Sequence, residues 1–217
     1  EEKMKLGERT FSEKDQINFG SFSGDLNPIH LDPTETRKLI TGQCIVHGVH
    51  SLLWGLEVLA KESGRLFKFV SINFSEQVNL HRLVEVIWDD KKQDLFLVAN
   101  SITLVHLKLS DEIVSGAQII NNGSFTTKGK AKAAKNLKIT DIFVGKQFKQ
   151  FVGGDKSYAE IMFPELTKRI GENIVYEIAL LSSKIGMQVP GLHSLFVGAT
   201  ISLDGGNENP VLEVQSV

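Results

Sequence analysis

Residues 23–32 combine the residue types best suited to acid–base chemistry. They read SGDLNPIHLD, so an acid, Asp25, and an imidazole, His30, stand five positions apart around the turn dipeptide Asn27-Pro28. Pro28 fixes its own φ and disfavours the helical region for Asn27, which predicts an irregular backbone. A carboxylate beside an imidazole can deprotonate a water and return a proton to a neighbouring carbon. The alternative is that Asp25 caps a helix or turn and that His30 is a surface residue.

A second segment, residues 42–49, reads GQCIVHGV and marks the start of an apolar helix at Gly48. Backbone N–H groups at a helix start lack partners within the helix and favour negative charge. Gly48 has no side chain to keep a substrate carbonyl away, so its amide can hold a developing enolate oxygen. The alternative is that Gly48 allows close packing of the helix start.

In this order and spacing, the two segments closely resemble the MaoC-like dehydratases, the (R)-specific enoyl-CoA hydratase family with a hot-dog fold. The residues that carry the resemblance are Phe11-Ser12, Ser23-Gly24-Asp25, Asn27-Pro28, His30, Asp32, Gly42 and Val46-His47-Gly48. The resemblance covers residues 5 to about 78. It implies an α+β fold, in which an antiparallel sheet wraps around a central helix. It also implies reversible hydration of a trans-2-enoyl thioester to the (R)-3-hydroxyacyl thioester.

The resemblance assigns a role to each residue of this set. Asp25 would activate water and His30 would share the proton transfers, as the catalytic pair. Asn27 would brace the loop, and the amide of Gly48 would bind the thioester oxygen; with His47 these two form the predicted substrate-binding set. The partner would be an acyl thioester of coenzyme A or of an acyl carrier protein. No cofactor is expected, because the chain has neither a Gly-x-Gly-x-x-Gly motif nor a P-loop.

Two other candidate sites fit their chemistry less well. His47 and His50 are three apart on the predicted helix, which suits a metal, but no carboxylate or third histidine stands nearby in the sequence. We therefore expect no metal site. Cys44 is followed by two β-branched apolar residues and has no evident base beside it, which predicts packing in place of nucleophilic chemistry.

The elements that must position these residues follow from capping and periodicity. Ser12 and Asp15 form a weak capping box that starts a first helix. Apolar residues at helical spacing predict a second, buried helix from Gly48 to about Lys61. Four strand-like segments with turn residues between them follow, at residues 65–78, 82–88, 94–109 and 112–125.

The chain divides at a basic, small-residue segment. We expect a hot-dog domain at residues 1–127, a linker at 128–137 and a second, degenerate or partial hot-dog domain at 138–217. The alternative for the linker is a phosphate-binding strip, because its neighbourhood contains four lysines in eight residues. The second domain has a predicted helix at 172–187 and strands at 195–203 and 211–217, which is an incomplete copy from either truncation or divergence.

No histidine follows Asp155 as His30 follows Asp25, so we expect the second domain to shape the substrate site without catalysing. One acyl thioester would then bind per chain, near Asp25 and His30.

Composition excludes several classes of protein. The 217 residues carry a net charge of −2, which argues against a nucleic-acid binder that neutralises phosphates. A single cysteine allows no intrachain disulfide. No apolar run approaches the ~20 residues that span a bilayer, and we expect no signal peptide because the N-terminal residues have no apolar segment. We therefore expect a cytoplasmic protein that binds neither nucleic acid nor membrane; a homodimer is left open.

Two rival functions use the same architecture. One is a non-catalytic subunit that binds acyl thioesters, and the other is a hot-dog thioesterase. The intact pair of Asp25 and His30 beside Asn27-Pro28 favours the hydratase over both.

Overall fold

The computed structural model describes residues 3–38, 41–112, 134, 154–188, 196–203 and 212–216. The elements are, in chain order, β1 (Lys3–Thr10), α1 (Glu13–Ser23), α2 (Pro28–Leu31), α3 (Pro33–Thr36), α4 (Gly48–Ser63), β2 (Phe69–Phe74), β3 (Leu83–Asp89), β4 (Asp94–Ala99), β5 (Ile102–Ser110), α5 (Tyr158–Met162), α6 (Pro164–Ile170), α7 (Glu172–Ser183), a π-helical turn (Lys184–Gln188), β6 (Phe196–Ser202) and β7 (Leu212–Ser216). Within these residues, seven strands form one antiparallel sheet in the order β1-β3-β4-β5-β2-β6-β7. The expected α+β hot-dog fold is confirmed.

Helix α4 is the central helix of this fold. It begins at Gly48 and ends at Ser63, where Gly64 adopts the left-handed conformation with φ 67°, so the predicted helix is confirmed. One side of α4 lies on the sheet, where Gly55 faces the side chains of Leu95 and Leu97. Helices α6 and α7 pack against α4 as well. A helix covered in this way must be apolar around most of its circumference, and it is.

Helix α1 begins at a capping box and ends at a glycine. The Ser12 hydroxyl accepts from the Asp15 N–H at 3.3 Å, and the Asp15 carboxylate accepts from the Ser12 N–H at 2.7 Å, which confirms the capping box. Gly24 ends the helix at φ 75°, a backbone conformation that glycine adopts without strain. The chain therefore leaves α1 directly into Asp25.

The strand predictions of the first half that fall on described residues were right in position but wrong in detail. The single strand expected at 94–109 is a hairpin of β4 and β5, because Asn100 and Ser101 both have positive φ, 50° and 64°. Such a pair turns the chain tightly between antiparallel strands. The prediction at 65–78 contains only β2, and β1 was not predicted although Met4 and Leu6 alternate with polar residues. Apart from residues 112 and 134, the predicted strand at 112–125 and the linker at 128–137 lie outside the described residues.

The second half of the chain joins the sheet of the first. Strand β6 pairs with β2 and β7 pairs with β6, so the strands predicted at 195–203 and 211–217 are confirmed. The helix predicted at 172–187 ends as α7 at Ser183 and continues as the π-helical turn. One hydrophobic core contains side chains of α4 and α7 together. None of the helices in the described part of the chain combines the length and apolar character that crossing a bilayer requires.

Candidate active site

The loop between α1 and α2 presents the two predicted catalytic side chains. Asp25 Oδ1 accepts from the Asn27 N–H at 3.1 Å, which folds the loop back on itself. Asn27 has φ −60° and ψ 126°, the extended backbone that Pro28 imposes, and its Oδ1 caps α2 by accepting from the Ile29 N–H at 3.1 Å. The segment predicted to be irregular therefore includes a one-turn helix, and this helix carries His30.

Asp25 and His30 meet at the wall of a cavity of about 330 Å³. Their nearest polar atoms, Asp25 Oδ2 and His30 Nε2, are 3.9 Å apart, and the two side chains are 1% and 11% exposed. His30 Nδ1 lies 2.9 Å from the carbonyl oxygen of Ile45. Because a carbonyl only accepts, Nδ1 carries the proton of the neutral ring, and Nε2 turns a lone pair toward the cavity and Asp25.

Burial moves the proton affinities of the pair toward each other. It raises the pKa of the Asp25 carboxyl, although His30, the Ser182 hydroxyl and the Asn27 N–H oppose the rise. It lowers the pKa of the His30 imidazole, although Asp25 and the Ile45 carbonyl oppose the fall. Two groups with converging pKa values can exchange a proton at little cost, as general acid–base catalysis requires.

The second half of the chain supplies direct neighbours of Asp25. The Ser182 hydroxyl, on α7, donates to Asp25 Oδ2 at 2.6 Å. Asn27 Nδ2 donates to the Gly186 carbonyl at 2.8 Å. Gly186 itself lies so close that a Cβ there would stand 2.7 and 2.8 Å from the two Asp25 carboxylate oxygens. Sequence reasoning missed both residues, because neither belongs to a motif and only the packing of α7 brings them here.

Gly48 lines the same cavity as the catalytic pair. Its N–H is the first of α4 and has no acceptor within the helix, and the N-cap residue His47 provides no side-chain cap. The ring of Phe74 covers the α-carbon of Gly48, at 3.2 Å from the position of a Cβ. A side chain at residue 48 would therefore displace Phe74.

His47 lies behind the cavity and not on its wall. It is completely buried, and its ring stacks on that of His30 with 3.8 Å between centroids. Nδ1 lies 2.8 Å from Gln16 Oε1, and Nε2 lies 3.1 Å from the Asp25 carbonyl oxygen. Of the predicted substrate-binding set, Asn27 and Gly48 line the cavity, whereas His47 supports the residues that do.

Apolar side chains make up most of the cavity wall. They are Ile29, Ile45, Val46, Val49, Phe74, Val78, Ile185 and Val197. The remaining lining comes from the catalytic loop, His30, Gly48, Ser182, Gly186 and the polar segment 75–77 that follows β2. A mostly apolar cavity with a few convergent polar groups is typical of a site for a small organic ligand.

The other candidate sites have a poorer geometry. Asp25, His30 and His47 are the one group in the described ranges whose ligand atoms could meet at a metal ion, within 4.8 Å of one another. However, both nitrogens of His47 face protein oxygens, which leaves two ligands where zinc sites use three or more. Burial raises the pKa of the Cys44 thiol, so the thiol is not activated. Asp155 is exposed and accepts from the N–H and hydroxyl of Ser157.

Comparison with known proteins finds one family model that matches the first part of the chain. A family model described as "MaoC like domain" matches residues 1–105. A solved structure described as a MaoC-like dehydratase is 8% identical over 92% of this chain and 81% of that protein, with a TM-score of 0.54. A MaoC domain protein from Chloroflexus aurantiacus J-10-fl is 10% identical over 93% of this chain and 78% of its own, with a TM-score of 0.51. At these identities the two likenesses show the fold, which they extend over both halves of the chain.

A shorter likeness covers half of the chain. The (R)-hydratase from A. caviae involved in PHA biosynthesis is 20% identical over 50% of this chain and 91% of the hydratase, with a TM-score of 0.39. No curated protein sequence matches the chain.

Proposed function

We propose that this chain, whose residues 1–105 are a MaoC-like domain, is a hydro-lyase that reversibly hydrates a trans-2-enoyl thioester to the (R)-3-hydroxyacyl thioester. The observation that carries the proposal is the approach of Asp25 and His30 at the wall of one mostly apolar cavity. Their separation of 3.9 Å lets one water lie within hydrogen-bond reach of both groups. The apolar wall suits the acyl chain, and the polar end suits the thioester and the water.

The geometry supports a definite order of bond changes. The water oxygen attacks C3 of the enoyl group, while ionised Asp25 accepts one of its protons. The electron pair of the C2–C3 double bond moves toward the thioester carbonyl, whose oxygen gains charge and accepts from the Gly48 N–H. C2 then takes up a proton from the pair of Asp25 and His30, which restores the carbonyl and completes the addition of water. The net change exchanges one O–H bond and the π bond of C2=C3 for one C–O and one C–H bond, with the C2–C3 single bond kept.

The site holds groups for each of these steps. His30 Nε2 can accept a proton because the Ile45 carbonyl fixes the proton of the neutral ring on Nδ1. Ser182 and the Asn27 N–H together hold the carboxylate of Asp25 with its Oδ2 toward His30. Such preorganisation removes the need to reorient dipoles during reaction.

The test is hydration of crotonyl-CoA, followed as loss of enoyl absorbance with thiol release measured in parallel. Asp25→Asn and His30→Ala should each lower turnover by ~100-fold or more, since general acid–base groups contribute about 10²–10⁴. Chiral analysis should give the (R) product, an expectation that rests on the family likeness.

Each rival function has its own outcome in this assay. Thiol release without hydration would assign the chain as a thioesterase. Binding of the thioester with neither reaction would assign a binding subunit. Retained hydration in both variants would remove Asp25 and His30 from the mechanism. Presenting the same acyl group on coenzyme A and on an acyl carrier protein decides the carrier, by comparison of kcat/KM.

A further inference from the structure

The side-chain amide of Gln16, on α1, is buried and contacts His47, the residue that lies behind Asp25 and His30. Gln16 is completely buried. Its Oε1 lies 3.0 Å from the backbone nitrogen of His47 and 2.8 Å from the ring Nδ1 of the same residue. Its Nε2 points toward His50 Nδ1 at 3.5 Å. Nothing in the sequence patterns distinguishes Gln16 from an ordinary polar residue of a helix.

The contacts fix which atom of Gln16 faces His47, and their lengths favour one position for the ring proton of His47. A backbone N–H always donates, so the Gln16 atom that faces it is the oxygen. That oxygen offers only lone pairs, so a hydrogen bond between it and His47 Nδ1 requires a proton on Nδ1. The Asp25 carbonyl oxygen, 3.1 Å from Nε2, is an acceptor as well, so a neutral ring can donate to only one of its two neighbours. The shorter contact is the one to Gln16, at 2.8 Å, and on this ground we assign the proton of the neutral ring to Nδ1.

His47 contacts or adjoins three parts of the site, so its own orientation affects theirs. Its ring is the surface against which the His30 ring stacks, 3.8 Å away. Its Nε2 lies 3.1 Å from the carbonyl oxygen of Asp25, so a ring protonated at both nitrogens would donate a hydrogen bond to that peptide. Its own backbone is the N-cap of α4, which precedes the Gly48 N–H directly.

We propose that Gln16 is a positioning residue for the reaction at Asp25 and His30, and that it acts by holding the backbone and the Nδ1–H of His47 with a single oxygen. This role rests on the proposed hydration. Through His47, one amide sets the plane of the catalytic imidazole and the direction of the Gly48 N–H. The titratable rings that face His47 are His30 in front of it and His50 further along α4, and burial keeps the pKa of His47 low.

Gln16→Met and Gln16→Glu test the proposal with nearly the same side-chain length. Gln16→Met removes the acceptor and should lower kcat for crotonyl-CoA hydration by about tenfold to a hundredfold, with KM changed less than threefold, because a displacement of ~1 Å costs on the order of 10²-fold. Gln16→Glu keeps an acceptor oxygen and should retain more activity. Its carboxylate should also raise the pKa of His47 and alter the pH profile of kcat.

A control and a spectroscopic readout separate positioning from a loss of stability. Thr167→Val removes another buried hydrogen bond, from the Thr167 hydroxyl to the Ala159 carbonyl on the far helices, and should leave kcat within twofold. Nitrogen-15 NMR of the unmodified protein should show His47 protonated at Nδ1. This readout does not depend on turnover, so it tests the geometry even if the chain hydrates no enoyl thioester.

Two results would overturn the proposal. One is folded Gln16→Met protein with kcat within twofold of the unmodified chain. The other is a His47 ring protonated at Nε2 in the unmodified protein. If Gln16→Met does not fold, the Gln16→Glu profile and the NMR tautomer decide the question.

Discussion

Gly186 is the residue of the second half whose replacement by alanine should damage the proposed chemistry most directly. A Cβ at this position would stand 2.7 and 2.8 Å from the oxygens of Asp25, whereas ordinary contacts of a Cβ begin at 3.4 Å. Either the carboxylate or the π-helical turn must then move by about 0.6–0.7 Å, the shortfall between these distances. Movement of the turn would also strain the bond from Asn27 Nδ2 to the Gly186 carbonyl.

The size of the effect follows from this displacement. A misplacement of ~1 Å at a catalytic group costs on the order of 10²-fold in rate, so a shift of two thirds of that size should cost about tenfold to a hundredfold. In barrier height this is ~1.4–2.7 kcal/mol. Gly186 does not have a positive φ, so alanine introduces no backbone strain and the loss is one of site geometry.

The assay is the hydration of crotonyl-CoA by Gly186→Ala, with Gly55→Ala as the matched control. Gly55 lies on α4, where a Cβ would meet the nearest leucine side chains at 3.4–3.6 Å, so this control should keep its turnover. In an Asp25→Ala background, Gly186→Ala should have no further effect, because the clash has lost its partner. Turnover within threefold of the unmodified chain in folded Gly186→Ala, or additive losses in the double variant, would refute the reasoning.

Four other variants have equally definite outcomes. Ser182→Ala removes the 2.6 Å hydrogen bond that stabilises the ionised form of Asp25, so the pKa of Asp25 should rise. The acidic limb of the plot of kcat/KM against pH should then move to higher pH, and an unmoved limb would contradict this. The Glu57 carboxylate accepts from two backbone N–H groups at the start of α6, at 2.7 and 3.1 Å. Glu57→Gln replaces it with a weaker acceptor, so the free energy of unfolding measured in urea should fall by ~1–2 kcal/mol with turnover retained. His50→Phe should stabilise the protein at acidic pH. Burial lowers the pKa of His50 from 6.5 to about 3, so the unfolded state binds the extra proton as the pH falls below 6.5, and this residue alone costs ~2 kcal/mol by pH 5. Urea titrations at pH 5 and pH 8 should show the gain at the lower pH, and equal changes at both would exclude this origin. Asp155→Asn should keep turnover within about threefold, because the carboxylate is exposed and bonds only within its own turn; a loss as large as that in Asp25→Asn would place a second catalytic centre in the chain.

The sequence predicted those features of the site that depend on neighbours along the chain. The capping box of Ser12 and Asp15 is made between residues three apart, and the extended backbone of Asn27 follows from the ring of Pro28. Helix α4 follows from an apolar surface that needs cover on most sides. Short-range contacts of this kind are set by residue type and spacing, so they can be read without a structure.

The sequence also missed turns that depend on backbone conformation. Asn100 and Ser101 adopt positive φ and divide one predicted strand into β4 and β5, although neither residue is glycine. Asparagine tolerates this region of φ and ψ, but it also occurs often outside it. The pairing of the two strands, which buries their apolar side chains on α4, decides the conformation here.

Only the tertiary structure decided what surrounds the catalytic pair. Ser182 and Gly186 lie more than 150 residues from Asp25 along the chain, and they reach it because α7 packs against α1 and α4 in one core. Gln16 and His47 are 31 residues apart and meet because both are buried between the same helices. A hydrogen bond in a buried site needs its two partners to within a few tenths of an ångström. Local sequence patterns do not specify distances of that kind, because each is the sum of all the packing between the two partners.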